Sequence, residues 1–225
     1  MIKKLLLVIL MMVISVSIQA EEKTYKMVFV PASEKGDESD YKNLISITEK
    51  LTGLKIETIK VTDYNAAVES MRAGRAHLAW FGGKTYVKAA EIANAEAFAA
   101  GVRPGEKDAG YYTFFVVKND SKLKKFNDVK GKVLSLNTIG STSGDLIPQV
   151  ELNKIDLTIK NKDHFKNVYY AGSHDACLLA VLNNQADVCG MSSRNFEARL
   201  EDGTFKLDDV RIIHKSDRVP PPPLA

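Results

Sequence analysis

The sequence predicts an α/β fold with two lobes, each a mostly parallel sheet flanked by helices, joined by two hinge strands. Short β-branched or aromatic runs alternate with helical segments along the chain, a pattern typical of βαβ units. The series divides into two comparable units, about 24–115 and about 120–211. Two strongly strand-like segments, 111–118 and 210–216, flank the second unit and are the expected hinge strands.

The first twenty residues have the features of a secretory signal. Lys3 and Lys4 are followed by an apolar run over 5–16 and by small residues up to Ala20. That apolar run is short for a membrane span. We therefore expect the mature chain to begin near Glu21 and to be soluble outside the cytoplasm.

We expect lobe 1 at 21–115, lobe 2 with its flanking hinge strands at 116–213, and a proline-rich end at 214–225. Four consecutive prolines, 220–223, cannot continue a helix or a central strand. This end predicts that structure which should complete lobe 1 is absent, so that 214–225 is the truncation point of a fragment or a shortened gene.

Helix and strand signals in lobe 1 follow one another without a gap. Asp63 is a predicted N-cap, and Gly53 and Gly74 are predicted helix ends. The predicted elements are a strand over 26–30, a helix over 41–51, a strand over 55–61, a helix over 64–74, a strand over 76–81 and a helix over 84–94.

Lobe 2 repeats the alternation. Pro148 is expected to interrupt the first helix of this lobe. The predicted elements are a strand within 126–138, a helix over 143–154, a strand over 167–172, a helix over 173–184, a strand over 186–191, a helix over 194–203 and a final strand over 210–216.

Both cysteines lie in a predicted helix–turn–strand unit. A helix over 173–182, a turn over 183–185 and a strand over 186–191 return Cys177 and Cys189 to similar heights. A disulfide is then possible in an oxidising compartment. Two buried small apolar side chains are the alternative. A metal site is not expected, because no histidines accompany the two thiols in ligand spacing.

The charge of the chain is close to balanced. The formal net charge is +3, and the two lysines of the signal account for two of these charges, which leaves +1. Acidic and basic residues are interspersed. No nucleic-acid or membrane-surface partner is therefore expected.

The segment from Gly140 to Gly144 carries three consecutive hydroxyl residues, Ser141, Thr142 and Ser143. It follows a predicted parallel strand and precedes a helix, where open α/β sheets bind ligands. Helix amino termini present unpaired N–H groups and a partial positive charge. With the hydroxyls added, this segment suits a tetrahedral oxyanion. A Ser/Thr-capped helix with a glycine-rich approach is the alternative.

A second strand–helix junction repeats this pattern. Gly172 is followed by Ser173 as the predicted N-cap and by His174 and Asp175 in the first turn. His174 can donate from its ring to a bound oxygen, and Asp175 complements the helix dipole. Two hydroxyl-bearing helix starts in one sheet favour a shared site, although a structural role for the histidine stays open.

Catalytic and nucleotide-binding patterns are not matched. His174 and Asp175 are adjacent, so on a helix their side chains project about 100° apart and the carboxylate cannot orient the imidazole. Thr142 stands where the G-x-S-x-G elbow has its nucleophile. No lysine follows Gly144, as a nucleotide-type phosphate loop requires. We expect no enzymatic activity and no cofactor.

The segments "GSTSGDLIP" (140–148) and "YYAGSHDACLLAVLNNQADVCG" (169–190) resemble the phosphonate/phosphite/phosphate-binding proteins of ABC importers, a PhnD-like family of periplasmic receptors with a two-lobed type II fold. In lobe 1, "AAVESMRAGRAHLAWFGGKTYVKA" (66–89) resembles the family's helix, glycine turn and strand that lead to a cleft tyrosine.

The resemblance implies six ligand-binding residues, four in lobe 2 and two in lobe 1: Ser141, Thr142, Ser143, His174, Tyr41 and Tyr86. For either tyrosine, packing in the core is the alternative. The resemblance also implies a monomeric periplasmic protein that binds phosphonate, phosphite or phosphate and delivers it to an ABC permease in the inner membrane.

One departure from the family bears on the ligand. Family members that take aminoalkyl phosphonates supply an acid to meet the amine, whereas Ser193, Arg194 and Asn195 stand in that segment here. A bare oxyanion or a small uncharged phosphonate is therefore expected. Arg194 either adds an anion contact or lies at a surface helix start. The alternative function is a receptor for another oxyanion, for example arsenite, that signals to a sensor kinase.

Overall fold

The computed structural model describes residues 23–32, 37–102 and 109–225. The predicted signal, residues 1–20, lies outside the described residues. The described chain forms two five-stranded mixed sheets with helices packed on them. This arrangement confirms the predicted two-lobed α/β class. Within the described residues, no helix has the length and apolar character needed to cross a membrane.

Lobe 1 contains a sheet of order β2-β1-β3-β10-β4, in which β1 runs parallel to β2 and β3, and β10 runs antiparallel to β3 and β4. Its elements are β1 (Thr24–Phe29), α1 (Asp37–Thr52), β2 (Lys55–Ile59), α2 (Tyr64–Arg72), β3 (Leu78–Trp80), α3 (Gly83–Ala93), β4 (Ala99–Ala100) and β10 (Pro223–Leu224).

Lobe 2 contains a sheet of order β7-β6-β8-β5-β9, in which only β5 runs against its two neighbours. Its elements are β5 (Thr113–Lys118), a 3₁₀ turn (Phe126–Val129), β6 (Val133–Leu136), a π-helical turn (Thr142–Leu146), α4 (Ile147–Asn153), β7 (Asn167–Tyr170), α5 (His174–Leu182), β8 (Val188–Ser192), α6 (Ser193–Glu201), a 3₁₀ turn (Leu207–Asp209) and β9 (Val210–Lys215).

The helix boundaries follow from local chemistry. Asp63 caps α2 by accepting from the backbone N–H of Ala66 at 2.9 Å, and Gly74 leaves that helix with a φ of +67°. Both features confirm the sequence prediction. Pro148 does not interrupt a helix, because α4 continues directly from the π-helical turn. The carbonyls of Ser143 and Gly144 accept from the Thr113 hydroxyl and the Asn137 N–H, so the missing N–H of Pro148 leaves neither without a donor.

The strand β5 is the centre of the lobe 2 core. Its side chains alternate between the two faces of the sheet, as the period of a strand requires. Phe114 and Val116 pack in a cluster with α5, whereas Phe115 and Val117 pack in a cluster on the other face. Apolar packing on both faces makes this strand a rigid base for the loops at its end.

The predicted disulfide joins α5 to β8. Cys177 and Cys189 are bonded, with their Cα atoms 5.6 Å apart and both side chains fully buried. The helix, turn and strand have the order that the sequence predicts. The disulfide therefore ties the start of α5 to the strand that carries the following loop.

Two chain segments cross between the lobes side by side. Tyr111 and Val219 form an antiparallel bridge, with N···O distances of 3.0 and 2.7 Å. The strands that follow and precede these crossings, β5 and β9, pair within lobe 2. The expected boundary at residue 115 falls inside β5.

The expectation that none of the four prolines continues an internal strand is corrected at Pro223, which begins β10. Pro223 lies in a strand between β3 and β4, and its carbonyl accepts from the N–H of Phe81 at 3.0 Å. Ala225 then exchanges two hydrogen bonds with Ala79, at 2.8 and 3.0 Å. Proline lacks a donor but keeps its acceptor, so a two-residue strand that begins with proline can pair between β3 and β4.

Candidate functional site

A cavity of about 190 Å³ lies between the two lobes. Its lobe 2 wall carries hydroxyl side chains, and its lobe 1 wall carries aromatic rings. The hydroxyl residues are Ser141, Thr142, Ser143 and Ser192. The aromatic residues of lobe 1 are Phe29, Tyr41, Tyr64, Trp80 and Phe81, and Tyr111 joins them from the crossing segment.

The π-helical turn presents the hydroxyls to the cavity. Ser141 is its N-cap, and the Oγ atom accepts from the N–H of Gly144 at 3.0 Å and from the Asn137 amide at 3.3 Å. The N–H groups of Thr142 and Ser143 stand in the first turn, where no intrahelical acceptor exists. Three hydroxyls and a helix start therefore converge on one wall, as the sequence predicts.

Gly144 allows this turn to lie close to its support. A Cβ atom at this position would lie 2.3 Å from Cβ of Asn137 and 2.9 Å from Cε1 of His174. Real Cβ atoms do not approach that closely. Glycine is therefore required here by close packing, and the hydroxyl turn is held against the end of β6 and the start of α5.

Tyr111 extends the hydroxyl wall. Its phenol is hydrogen-bonded to the side chains of Ser143 and Thr142. Burial raises its pKa above the ordinary value, although these two hydrogen bonds and the positive charge of Arg194 act in the opposite direction. Tyr111 is therefore a neutral phenol near neutral pH and adds an uncharged hydrogen-bonding group.

The charged residues that line the cavity within the described chain are both cationic. Arg194 is the second residue of α6, and its Nη2 atom donates to the carbonyls of Gly101 and Gly110 at 3.3 and 3.4 Å. Arg199 is 8% exposed and forms ion pairs with Asp175 and Asp202. No carboxylate lines the cavity among the residues whose side chains the structure describes, and the charge of Arg199 is balanced by its two carboxylate partners.

Four of the six predicted ligand-binding residues line the cavity: Ser141, Thr142, Ser143 and Tyr41. Tyr41 stacks between two lobe 1 rings, with centroid distances of 4.6 Å to Phe29 and 4.8 Å to Trp80. The structure thus brings residues from α1 and from the π-helical turn to one cavity, although they are about a hundred positions apart in the chain.

His174 and Tyr86 are not among the residues that line the cavity. The His174 ring is buried, and its Nδ1 atom accepts from the N–H of Ser192 at 3.2 Å. Burial lowers its pKa to about 3, so the ring is neutral and its proton is on Nε2. The Tyr86 ring packs on the lobe 1 core, and its hydroxyl accepts from the N–H of Ala97 at 3.3 Å.

The second hydroxyl-bearing helix start lies beside the cavity and contacts lobe 1. Ser173 caps α5 by accepting from the N–H of Ala176 at 3.0 Å. The N–H of His174 donates to the carbonyl of Ala32 in lobe 1 at 3.2 Å. This helix start therefore contacts the opposite lobe directly, while the π-helical turn beside it opens to the cavity.

An ion pair also crosses between the lobes. Lys84 of α3 donates to Oδ2 of Asp145 at 2.6 Å, and the backbone N–H of Lys84 donates to Oγ1 of Thr142 at 2.9 Å. Asp145 also accepts from the Gly140 N–H at 3.0 Å and the Tyr170 hydroxyl at 2.7 Å. Burial raises the pKa of Asp145, but these hydrogen bonds and Lys84 outweigh it, and the pKa falls below its usual range.

Sequence reasoning missed Tyr111 and the pair formed by Lys84 and Asp145. The strand signal over 111–118 placed Tyr111 among sheet residues, although it precedes β5 and lies in the crossing segment. For Asp145 a signal exists: an acidic residue directly after Gly144, in the first turns of a helix that begins with hydroxyls. Its cationic partner lies in the other lobe, which no local pattern reveals.

Comparison with known proteins identifies the family. A model of the family described as the ABC transporter, phosphonate, periplasmic substrate-binding protein matches residues 27–225. The chain belongs to this family. Its members are solute-binding components of ABC transporters, and the resemblance stated above is confirmed.

Two curated relatives illustrate the relationship. The chain is 30% identical over 185 residues to the phosphonates-binding periplasmic protein of Escherichia coli K12, which covers 79% of this chain and 52% of the relative. It is 27% identical over 205 residues to the phosphate-import protein PhnD of Mycolicibacterium smegmatis, which covers 88% of this chain and 64% of the relative. The chain thus spans about half to two thirds of the length of these relatives.

Solved structures confirm the type II fold. A binding protein component of an ABC phosphonate transporter from Pseudomonas aeruginosa superimposes with a TM-score of 0.81 at 23% identity, covering 91% of this chain and 68% of that one. PhnD1 from Prochlorococcus marinus, solved in complex with methylphosphonate, has a TM-score of 0.79 at 23% identity, with coverages of 91% and 76%.

Proposed function

We propose that this chain is the solute-binding component of an ABC importer for phosphonate, phosphite or phosphate. The observation that supports this proposal is the hydroxyl-bearing π-helical turn, 141–143, which opens onto a cavity between two lobes whose lining includes two arginines and no carboxylate among the described residues. Family membership supports the same conclusion.

The turn suits an oxyanion for electrostatic reasons. Unpaired N–H groups at a helix start carry a partial positive charge and point at a ligand placed before them. The hydroxyls of Ser141 and Ser143 add donors without adding a formal charge. A buried ligand oxygen that meets no donor costs about 1–3 kcal/mol, so the number of donors and acceptors at the turn decides which oxyanion binds.

The two lobes support a binding cycle without covalent chemistry. Lys84 and Ala32 of lobe 1 contact the helix starts of lobe 2 next to the cavity. Rotation about the paired crossings at Tyr111 and Val219 would open the cavity, and these contacts would re-form on closure. In this proposal the protein is secreted to the periplasm, acts as a monomer, catalyses no reaction and presents its closed form to an inner-membrane permease.

A matched pair of serine variants tests the proposal. Ser141→Ala and Ser173→Ala each remove an N-cap hydroxyl, at a cost of about 1 kcal/mol in stability. Only Ser141 lines the cavity. We expect Ser141→Ala to weaken binding of phosphate, phosphite or methylphosphonate at least tenfold by calorimetry, and Ser173→Ala to leave the affinity within twofold.

Equal affinities in the two variants would contradict the assignment of the π-helical turn. Lack of binding by the unaltered protein to phosphate, phosphite and every phosphonate tested would contradict the proposed function itself. Release of phosphate from esters by the protein at millimolar substrate would contradict the absence of catalysis.

A further inference from the structure

Positive charge is concentrated in two segments of lobe 2, 121–132 and 157–166. Together they carry eight lysines and two aspartates, a formal net charge of +6, whereas the whole sequence carries +3. The remainder of the sequence therefore carries a net charge of −3. The eight lysines are Lys122, Lys124, Lys125, Lys130, Lys132, Lys160, Lys162 and Lys166.

The fold brings these two segments together. The N–H of Gly131 donates to the carbonyl of His164 at 2.8 Å, and the N–H of Lys166 donates to the carbonyl of Lys132 at 3.0 Å. Apolar side chains from both segments pack in one buried cluster: Leu123, Phe126, Val129, Leu157 and Phe165. The two segments therefore form one continuous surface, which we call the lysine surface.

The lysine surface lies at the end of lobe 2 opposite the cavity. Its two segments lead into β6 and β7, which run parallel and begin side by side, with Val133 paired to Asn167. The hydroxyl-bearing turn, 141–143, follows the other end of β6. A partner bound at the lysine surface would therefore leave the cavity uncovered.

The lysine side chains project into solvent without carboxylate partners. Seven of the eight lysines are exposed, and Lys132 is half-buried. Lys84 and Lys154 form ion pairs, whereas none of these eight does within the part of the chain that the structure describes. The Asp128 carboxylate accepts from the backbone N–H groups at 124 and 125, at 2.7 and 3.0 Å, and so holds the turn. Gathered like charges repel one another, and an anionic partner would relieve that repulsion.

The composition of the surface favours a lipid bilayer over a protein as that partner. Protein interfaces are depleted in lysine and enriched in aromatic residues, methionine and arginine. The two segments contain no arginine, methionine, tyrosine or tryptophan, and both of their phenylalanines are buried. Single-stranded nucleic acids also require exposed rings on which bases stack. An anionic bilayer requires only positive charge close to its surface.

The same surface has nothing to insert into the bilayer. No large apolar side chain of the two segments is exposed. Lysine carries a compact charge on a flexible stem, which suits phosphate headgroups that have no fixed arrangement. Binding by such a surface is electrostatic, reversible and sensitive to salt.

We propose that the lysine surface docks this protein on a bilayer of anionic phospholipids by electrostatic attraction alone. The near-neutral total charge of the sequence argues against such a partner, but the fold separates these lysines from the acids that balance them. The inference goes beyond the proposed function and does not depend on which solute the cavity binds. Docking would confine the protein to the membrane surface while the cavity stays open to solution.

Sedimentation of the secreted full chain with vesicles tests the inference. Vesicles of phosphatidylglycerol and phosphatidylcholine in equal parts are expected to bind the protein at least tenfold more tightly than vesicles of phosphatidylcholine alone. Binding should be lost at about 1 M salt, where the Debye length is about 3 Å instead of about 10 Å at 0.1 M. Equal binding to the two kinds of vesicle, or binding that persists at about 1 M salt, would overturn the inference.

A triple variant locates the binding surface. Lys124→Gln, Lys125→Gln and Lys130→Gln together remove three exposed charges. Each lysine near an anionic bilayer contributes about fivefold in affinity, so the three changes should weaken binding about a hundredfold. If thermal unfolding shows that this variant is not folded, the exposed lysines at 160, 162 and 166 supply a second triple variant with the same expected loss.

The matched control removes three exposed lysines from lobe 1. Lys42→Gln, Lys50→Gln and Lys55→Gln change the net charge by the same amount and should leave vesicle binding within twofold. An equal loss in the two triple variants would show a general effect of charge and overturn the assignment to lobe 2. Tighter binding of soluble polyglutamate than of anionic vesicles would identify an acidic protein as the partner and overturn the bilayer.

Discussion

The two lobes differ in how completely their side chains are buried. In lobe 2, five of the six residues of β5 are buried, and apolar clusters cover both faces of the sheet. In lobe 1, both residues of β4 are exposed, and α1 carries a stripe of exposed apolar residues at Leu44, Ile47 and Leu51. Of the thirteen large apolar residues exposed in the described chain, eight lie in lobe 1.

The same difference appears at the cavity. Lobe 2 supplies the hydroxyl-bearing turn, which is fixed by Gly144, Asn137 and the buried ring of His174. Lobe 1 supplies a stack of aromatic side chains and one cation, Lys84, whose side chain forms an ion pair with Asp145 of lobe 2. Recognition of the oxyanion is therefore built into the rigid lobe, and the more exposed lobe covers it. Four predictions test this division of roles.

The largest effect is expected for Gly144→Ala. The new Cβ atom would lie 2.3 Å from Cβ of Asn137, which cannot move without its backbone. Overpacking of this kind costs about 1–3 kcal/mol and occasionally more, and we expect about 3 kcal/mol in urea unfolding together with loss of oxyanion binding.

The matched control is Gly83→Ala, on the lobe 1 side of the same contact. A Cβ atom there would lie 3.7 Å from Oγ1 of Thr142, which is an ordinary van der Waals distance. This variant should change stability by less than about 1 kcal/mol. Equal losses of unfolding free energy in Gly144→Ala and Gly83→Ala would show that lobe 2 is no more rigidly packed at the cavity than lobe 1.

A second prediction concerns pH. His174 has a native pKa lowered by burial to about 3, whereas an unfolded histidine has about 6.5. The unfolded state therefore binds a proton that the native state does not. The free energy of unfolding has its full contribution from this residue above about pH 6.5. It falls as the pH drops from 6.5 toward 3, by about 1.4 kcal/mol per unit.

Urea unfolding at pH 6.5 and pH 4.5 should differ by about 2–3 kcal/mol through this residue. His174→Gln should remove most of the difference. The control is His77→Gln in lobe 1, where the His77 Nδ1 atom accepts from the N–H of Lys26 at an exposed position. In this variant the free energy of unfolding should change with pH as it does in the unaltered protein. Asp145, whose pKa is lowered, loses its contribution only below about pH 4. If His174→Gln leaves the difference in unfolding free energy between pH 6.5 and pH 4.5 unchanged, His174 is not its cause.

A smaller effect is expected for Lys84→Met. The change removes the ion pair between the lobes, and the Lys84 side chain is 35% exposed, so solvent screens much of the interaction. We expect a loss of about fivefold in ligand affinity, equivalent to about 1 kcal/mol, and a larger radius of gyration for the ligand-bound protein in X-ray scattering.

Lys88→Met is the control for this variant. Lys88 lies one turn further along α3 and donates to Asn65 within lobe 1 at 3.0 Å. The same loss of affinity in both variants would indicate a general effect of charge rather than a contact between the lobes.

The smallest effect is expected for Tyr86→Phe. The hydroxyl accepts one hydrogen bond from Ala97 at an exposed site, outside the cavity lining. We expect less than a twofold change in affinity. Tyr64→Phe is the comparison, because Tyr64 lies in the same lobe and lines the cavity. A tenfold loss of ligand affinity in Tyr86→Phe would support the ligand contact that the family resemblance implies.

Most of the fold could be predicted from the sequence because its signals are local. Alternating strand and helix patterns gave the order of the elements, and Asp63 and Gly74 marked the ends of a helix through backbone chemistry that acts over a few residues. The disulfide was predictable as a possibility because its two cysteines are only twelve residues apart within one helix–turn–strand unit.

The site was predicted only in part, because it depends on contacts between distant segments. The hydroxyl turn was identified from its own residues, but nothing local shows that the N–H of His174 meets Ala32 of the other lobe. The pairing of Pro223 with lobe 1 was missed because proline disfavours strands in general, whereas here only its acceptor is used.

The position of β10 has a consequence for how the molecule is made. Leu224 pairs with Trp80, and the whole of lobe 2 lies between these two residues in the chain. During synthesis from the amino terminus, residues 113–215 can assemble as an uninterrupted unit, whereas the lobe 1 sheet lacks its internal strand β10 until the last residues are made. Lobe 2 is therefore an insertion in the chain of lobe 1. Its early folding would bring together the two segments of lobe 1 that precede and follow it.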